Sequence, residues 1–215
     1  MTSTLERYQR IAPLYDLLDL PFEYGRYQRI RPLLFDGLSG RILDAAVGTG
    51  RNAPFYPRAA SIVGIDLSPA MLARAARRRT RAARRRTQSA APVELRQMDV
   101  MNLDFPPASF DAAVATFLFC VLADKQQVPA LRELRRVVRP GGAIRLLEYV
   151  RPSGTLRRLS VAMWEPWVAL TYGAGFDGNT AAHIPEAGLE LIETRFVVGD
   201  LMQMLIVRVP TEAGS

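Results

Sequence analysis

Three aspartates at regular intervals are the residues of this chain best suited to chemistry. Asp44 stands near the end of the apolar run 41–45, Asp66 ends the run 61–66, and Asp99 ends the stretch 93–99. After the first run comes Gly48-Thr49-Gly50, then Arg51 and Asn52 opening the next segment. A strand, a glycine turn and a helix start together make a ligand cradle. The glycines let backbone N–H groups approach a ligand, and a helix N-terminus favours an anionic group. Asp66 follows Asp44 by 22 residues, close to the spacing at which a second-strand carboxylate reaches the ribose hydroxyls of a nucleoside. Glu148, Tyr8, Tyr15 and Tyr149 are the candidates for taking a proton from an acceptor.

These residues need elements to hold them. Ser68-Pro69 after Asp66 is an N-cap and first-turn pair. The stretch 109–119 is continuously apolar, as a strand buried on both faces would be. A helix is expected over 128–138, closed by Arg139-Pro-Gly-Gly142, and a strand over 143–149. Leu189–Val198 and Leu201–Val209, separated by Gly199-Asp200, form a hairpin that supplies an antiparallel final strand. The fold class is therefore α/β, a doubly wound, mostly parallel seven-stranded sheet with its site at the carboxyl ends of the strands. Residues 4–36 are expected as two helical segments broken near Pro13 and Pro21, with Leu5, Tyr8, Ala12 and Tyr15 on one face and Tyr24, Tyr27, Arg31 and Leu34 on another.

The ordered set Asp44…Gly48-Thr49-Gly50, Val63-Gly-Ile-Asp66-Leu-Ser-Pro-Ala-Met-Leu72, Met98-Asp99, Phe110-Asp111 and Arg139-Pro-Gly-Gly142 resembles the class I S-adenosylmethionine-dependent methyltransferases, over about residues 40–150. A nicotinamide dehydrogenase would place a third glycine at the helix start, where this chain has Arg51, Asn52 and Ala53. The resemblance implies a Rossmann-like fold and one domain: a helical lid over 1–36, a cofactor-binding core over 37–150, acceptor-side helices over 151–188 and a terminal hairpin over 189–209.

It also implies S-adenosylmethionine as cofactor, held by Asp44, Ala46, Gly48, Thr49, Gly50, Asn52, Asp66, Leu67, Met71, Asp99, Val100 and Thr116. Asp44 would hold the ammonium directly or through water, Asp66 both ribose hydroxyls, and Asp99 the adenine amine. Ala46 stands where many members have glycine, a departure expected to cost little. The sulfonium is already a good leaving group, so the site must align a nucleophile and exclude water. Tyr15, Glu148 and Tyr8 are the residues expected to act on the acceptor. Glu148 has the alternative of orienting a loop, and the tyrosines that of core packing. Cys120 is expected as a small apolar filler, and His183 stands alone in a late helical stretch.

Thr116-Phe-Leu-Phe-Cys120 lacks the Asn/Asp-Pro-Pro-aromatic turn with which the enzymes that methylate adenine or glutamine amides grip a planar nitrogen. Apolar walls replace it, which suits a lipophilic acceptor. Residues 151–180, with Met163, Trp164 and Trp167 beside Arg157 and Arg158, suit either a bilayer boundary or a helix packed on its own sheet. The pattern is most similar to bacterial phospholipid N-methyltransferases, which methylate the amine of phosphatidylethanolamine. Quinone and thiol methyltransferases share much of it, so a quinone, thiol or natural-product hydroxyl acceptor is the alternative. A cofactor-binding protein without transfer is a third reading, opposed by the intact acids.

The chain's 215 residues suffice for one core. One cysteine excludes an internal disulfide, and one histidine excludes a histidine-rich metal site, so no metal is expected. Met1–Arg10 has no apolar secretory core, and the longest uncharged apolar run, 112–123, is too short to span a bilayer. The expected location is cytoplasmic or at the inner membrane surface. The formal charge of +7 is concentrated: Arg74-Ala-Ala-Arg-Arg-Arg-Thr80 recurs unchanged as 81–87, and removing these eight arginines leaves −1. Two readings stand. One is a lengthened, solvated helix; the other is peripheral contact of Arg74–Arg86 with anionic membrane. No aromatics interleave, so nucleic acid is not indicated.

Overall fold

The computed structural model describes residues 27–85, 91–155 and 179–211, together with Glu6 and residues 158, 159, 161–163 and 165; of 81–85 it describes the backbone. Helix α1 (Gln28–Phe35) leads into β1 (Gly40–Ala45), β2 (Ala60–Asp66), α2 (Pro69–Arg85), β3 (Val93–Gln97) and β4 (Phe110–Thr116). Helix α3 (Asp124–Val137), β5 (Val138–Tyr149), the short α4 (Thr180–Glu186), β6 (Glu190–Val198) and β7 (Met202–Arg208) complete the order. The seven strands run β3-β2-β1-β4-β5-β7-β6 across one sheet. Strands β1 to β5 are parallel, and β7 is antiparallel to both β5 and β6. The order reverses between β1 and β4, and a crevice opens there at the carboxyl ends of the strands.

The central strands are apolar on both faces because both are covered. In β1, Ile42 packs in one cluster with Leu34, Phe35, Val114 and Met204, while Leu43 and Ala45 pack in the other with Leu131, Leu134 and Leu205. Successive side chains of a strand point to opposite faces, so one run serves two layers. Strand β6 is the sheet edge, and its Ile192 and Phe196 are exposed.

Three boundaries differ from expectation. Strand β4 stops at Thr116 because Phe117 takes φ 56°, and Phe119–Val121 form a single 3-10 turn; a run of apolar residues carries no mark of that reversal. Helix α3 begins at Asp124 rather than Val128, its polar first turn capped by the Gln126 side chain, which accepts from the Ala123 N–H at 3.0 Å. Arg139-Pro-Gly-Gly142 belongs to β5 rather than to a loop. The pairing with β4 shifts between Phe110 and Ala112. Gly142 permits this close passage, because a Cβ there would lie 2.7 Å from the Asp111 carbonyl oxygen and 2.5 Å from Val138 Cγ1.

Tyr27, Arg31 and Leu34 of the expected second face are all buried, the first at the N-cap of α1 and the others on it. Residues 7–26, including Tyr8, Tyr15 and Tyr24, lie outside the described residues, as do Leu5, Trp164, Trp167 and Arg157. The hairpin over the C-terminal runs is present, turning at Gly199-Asp200. No helix among the described residues is long and apolar enough to cross a membrane.

Candidate active site

A cavity of 310 Å³ opens where β1, β2, β3 and β4 end. One wall is built by the turns after the first three strands: Ala46, Gly48, Asp66, Leu67, Met71, Asp99 and Val100 line it. The opposite wall is the segment after β4, with Thr116, Phe117, Leu118, Val121 and Leu122. Both carboxylates of the lining stand in the first wall, whereas the second, apart from Thr116 and the neighbouring Gln126, is hydrocarbon.

On the first wall, Asp66 organises the glycine turn. Its Oδ2 accepts the Gly48 N–H at 2.9 Å and its Oδ1 the Ser68 N–H at 2.8 Å. Burial pushes its carboxyl above the usual range, and these two N–H groups oppose that rise. Each carboxylate oxygen keeps a second lone pair, so this cavity-lining carboxylate can still accept from both hydroxyls of a vicinal diol. Gly48 has φ 56°, and a Cβ there would meet nothing within 4 Å. Asp99 accepts the Met101 N–H at 2.9 Å through Oδ1 and also borders the cavity. Two carboxylates, a glycine turn and the apolar side chains of Leu67, Met71 and Val100 are a donor set that fits a nucleoside carrying a cationic chain.

Four of the expected cofactor positions do not line the cavity: Asp44, Thr49, Gly50 and Asn52. Asp44 is fully buried. Its oxygens accept from Tyr56 Oη at 2.5 Å and from Asn52 Nδ2 at 3.1 and 3.3 Å, partners that do not line the cavity. Burial pushes its carboxyl up to about 6, against the pull of the Tyr56 and Asn52 hydrogen bonds and of the nearby Arg31 charge. Asn52 passes the network on, accepting from Arg31 Nη1 at 2.7 Å and donating to Thr116 Oγ1 at 3.1 Å. This buried network joins α1 to the cavity edge at Thr116. Tyr56 is a member that sequence reasoning missed, since an aromatic in a loop carries no mark of its partner.

Thr49 and Gly50 join the turn to α2. The Thr49 carbonyl accepts from Arg78 Nε at 2.9 Å. Gly50 has φ 77°, and a Cβ there would lie 3.0 Å from Ala75 Cα, so any larger residue pushes α2 off the turn. Ala46 is a different case. It lies at φ 61° without being glycine, a conformation that costs an L-residue about 1–2 kcal/mol. The alanine is therefore strained, contrary to the expectation that it costs little. Ala46→Gly is expected to raise stability by about 0.5–1 kcal/mol after the added chain entropy of glycine is subtracted; a higher urea midpoint at unchanged slope would register it.

The second wall is held from behind. Glu148, fully buried at the end of β5, accepts the Phe119 N–H through Oε1 at 3.1 Å and the Cys120 N–H through Oε2 at 2.9 Å. Burial pushes its carboxyl up to about 7, against those backbone hydrogen bonds. It is not among the residues lining this cavity, and its contacts are those of the loop-orienting alternative. Phe117, at the strained φ of 56°, is stacked on Tyr149 with centroids 4.7 Å apart and tilted against Tyr27 at 5.3 Å. The hydroxyls of Tyr27 and Tyr149 are hydrogen-bonded to each other. Strain of this kind persists where surrounding structure over-determines it, and it clusters at ligand sites.

Cys120 is buried with its thiol pushed well up, as a filler would be. His183 meets Asp124 Oδ1 at 2.8 Å through Nε2, tying α4 to the start of α3 away from the cavity. No group of three metal-ligating side chains occurs among the described residues. Sequence reasoning also missed Ser68, Met98, Met101, Leu118, Val121, Leu122 and Gln126 as lining residues; most neighbour an assigned acid or the apolar run after β4, which is the signal that points to them.

Residues 42–142 match the family described as a methyltransferase domain. The chain is 38% identical over 126 residues to the phosphatidylethanolamine N-methyltransferase of Cereibacter sphaeroides, a match spanning 58% of this chain and 58% of that relative. It is 34% identical over 191 residues to the demethylmenaquinone methyltransferase of Thermus thermophilus, spanning 84% of this chain and 82% of that one. Among solved structures, a SAM-dependent methyltransferase from Methanosarcina mazei superposes with a TM-score of 0.64 at 20% identity, covering 84% of this chain and 98% of that one, a likeness of fold. The ordered strand-end acids, the sheet order and these relatives agree: the chain belongs to the class I S-adenosylmethionine-dependent methyltransferases.

Proposed function

We propose that the cavity holds S-adenosylmethionine against its acidic wall and that methyl transfer goes to a lipophilic acceptor on the apolar wall, with the amine of a phosphatidylethanolamine-type phospholipid as the acceptor. The observation that carries this reading is the division of one cavity into two chemically distinct walls. When bound, the cofactor supplies a methyl group on a sulfonium, which leaves as a neutral thioether. Asp66 accepts the ribose hydroxyls, Asp99 the adenine amine, and the turn at Gly48 lets the backbone close on the methionyl part. Asp44 acts one step removed, positioning Asn52 and, through it, Thr116 at the cavity edge.

On the other wall Phe117, Leu118, Val121 and Leu122 exclude water from the line of attack and receive hydrocarbon. Glu148 is a positioning residue that fixes this wall through two backbone N–H groups. Tyr8 and Tyr15 keep the role the resemblance implies, shaping the acceptor pocket from the N-terminal segment; to take the proton of an ammonium acceptor either would have to act as its phenolate. The longer match to a demethylmenaquinone methyltransferase favours a quinone carbon as the second reading.

Incubation with methyl-labelled S-adenosylmethionine and a total lipid extract separates them. Label in the organic phase migrating with methylated ethanolamine lipids supports the first reading. Label migrating with quinones supports the second. No organic-phase label, with cofactor binding established separately, overturns both.

A further inference from the structure

Thr116 stands at the seam of the two walls. The register Ala45↔Ala115 between β1 and β4 sets it beside Ala46, and both residues line the cavity. Its Oγ1 accepts from Asn52 Nδ2 at 3.1 Å. The sense of that bond is fixed by the other contacts of the same amide. A guanidinium carries donors only, so Arg31 Nη1, 2.7 Å away, must meet the amide oxygen of Asn52. The amide nitrogen then serves Asp44, at 3.1 and 3.3 Å, and Thr116. Turning the amide over would set its oxygen against the Asp44 carboxyl and its hydrogens against the guanidinium. Arg31, Asn52 and Asp44 are all buried, so water does not relieve either clash.

A threonine hydroxyl has one hydrogen and two lone pairs. With Asn52 donating to it, the hydrogen must go elsewhere, and among the described residues none accepts it. The chain from guanidinium to amide to hydroxyl runs its donors in one direction, and each bond polarises the next. Its outer end suits an oxygen carrying negative charge and repels the hydrogens of an ammonium. Both molecules of the proposed reaction carry such an oxygen, the cofactor in its carboxylate and a phospholipid in its headgroup phosphate.

We propose that Thr116 donates its hydroxyl hydrogen to a ligand oxyanion at the seam of the two walls, and that Asn52 is the positioning residue that sets this donor sense; this rests on the reading of the cavity given above. The seam thereby selects how a ligand lies in the cavity, with an anionic group at Thr116 and any ammonium directed away from it.

The test uses three small changes in the full chain. Thr116→Val removes the hydroxyl at nearly constant shape, and Thr116→Ser keeps it. Asn52→Asp replaces the donating nitrogen with an acceptor, so Thr116 turns its hydrogen back to the new carboxylate. Calorimetry with S-adenosylmethionine and with its decarboxylated analogue is read beside lipid KM at saturating cofactor. If the oxyanion is the cofactor carboxylate, Thr116→Val and Asn52→Asp each weaken S-adenosylmethionine binding at least about tenfold and leave binding of the analogue unchanged. If it is the headgroup phosphate, both raise lipid KM at least about tenfold with kcat and cofactor Kd held. In either case Thr116→Ser behaves as the parent, and the Thr116→Val/Asn52→Asp double variant loses no more than the single ones. Two independent structural losses would multiply instead.

Unchanged cofactor Kd and lipid KM in Thr116→Val overturn the proposal, as do equal losses in Thr116→Ser and Thr116→Val or full multiplication in the double variant. Thr116→Val introduces no charge, so its comparison with Thr116→Ser stands if Asn52→Asp misfolds. Failure of the cavity reading shows differently, as absence of S-adenosylmethionine binding in the parent itself.

Discussion

Replacing Asp66 by alanine is expected to weaken S-adenosylmethionine binding by about ten- to a hundredfold. The arithmetic follows from the hydrogen bonds that disappear. A carboxylate accepting a ribose hydroxyl contributes about 1.5–3 kcal/mol, and each 1.4 kcal/mol is tenfold in affinity, so the net loss of one such bond, with water replacing the other, gives this range. Two further acceptors go with the side chain, those for the Gly48 and Ser68 N–H groups, so the glycine turn also loses its anchor. Asp66→Asn keeps one carbonyl oxygen and should fall between parent and alanine variant. Titration calorimetry with the cofactor reads the series. An unchanged dissociation constant in the alanine variant would remove the ribose assignment and, with it, the acidic wall as the cofactor side.

The second large effect concerns Glu148. Truncation to alanine orphans the buried N–H groups of Phe119 and Cys120, each costing about 1–3 kcal/mol, so a loss of about 2–5 kcal/mol is expected in chemical denaturation. The apolar wall then loosens, raising the acceptor KM while cofactor affinity holds. A pH signature distinguishes this group. Its folded pKa, about 7, lies above the ordinary 4.5, so the folded state binds more protons between those values. Its contribution is complete below about pH 4.5 and is lost as pH rises through 7. Asp44, raised to about 6, acts in the same sense. Glu148→Gln does not titrate, so the parent's advantage over it should shrink by about 2–3 kcal/mol between pH 5 and pH 8. A constant gap across that range would show that Glu148 is ionised throughout and that its burial is not what the pH dependence of folding reports.

Much of this architecture is legible in the residues because strand-end acids and apolar runs carry both the fold and the site. Asp66 and Asp99 lie at the cavity since each directly ends, or follows, a strand whose length its apolar run sets. Asp44 shows the limit. Its position in the strand is equally plain, but its environment depends on Tyr56 and Asn52 folding beneath the turn and on Arg31 arriving from α1. None of those long-range partners leaves a local mark. The post-β4 wall is a similar case: its apolar character is visible in sequence, whereas the reversal at Phe117 is imposed from outside. Stacking on Tyr149, contact with Tyr27 and the Glu148 clamp enforce a φ that phenylalanine does not choose on its own. The boundaries of β4 and β5 differ for related reasons, since the reversal at Phe117 and the shifted pairing near Gly142 answer to tertiary packing, whereas the earlier start of α3 rests on a local cap from Gln126.

The division of the cavity into a cofactor wall and an acceptor wall is tested most directly by measuring cofactor Kd and lipid KM on Asp66→Ala and Leu122→Ala side by side. The account predicts a crossed result: Asp66→Ala weakens cofactor binding at least about tenfold with little change in lipid KM at saturating cofactor, whereas Leu122→Ala raises lipid KM with cofactor Kd unchanged. If both variants moved both constants together, or if Leu122→Ala altered only cofactor binding, the two walls would not be separate sites and the acceptor would have to enter elsewhere.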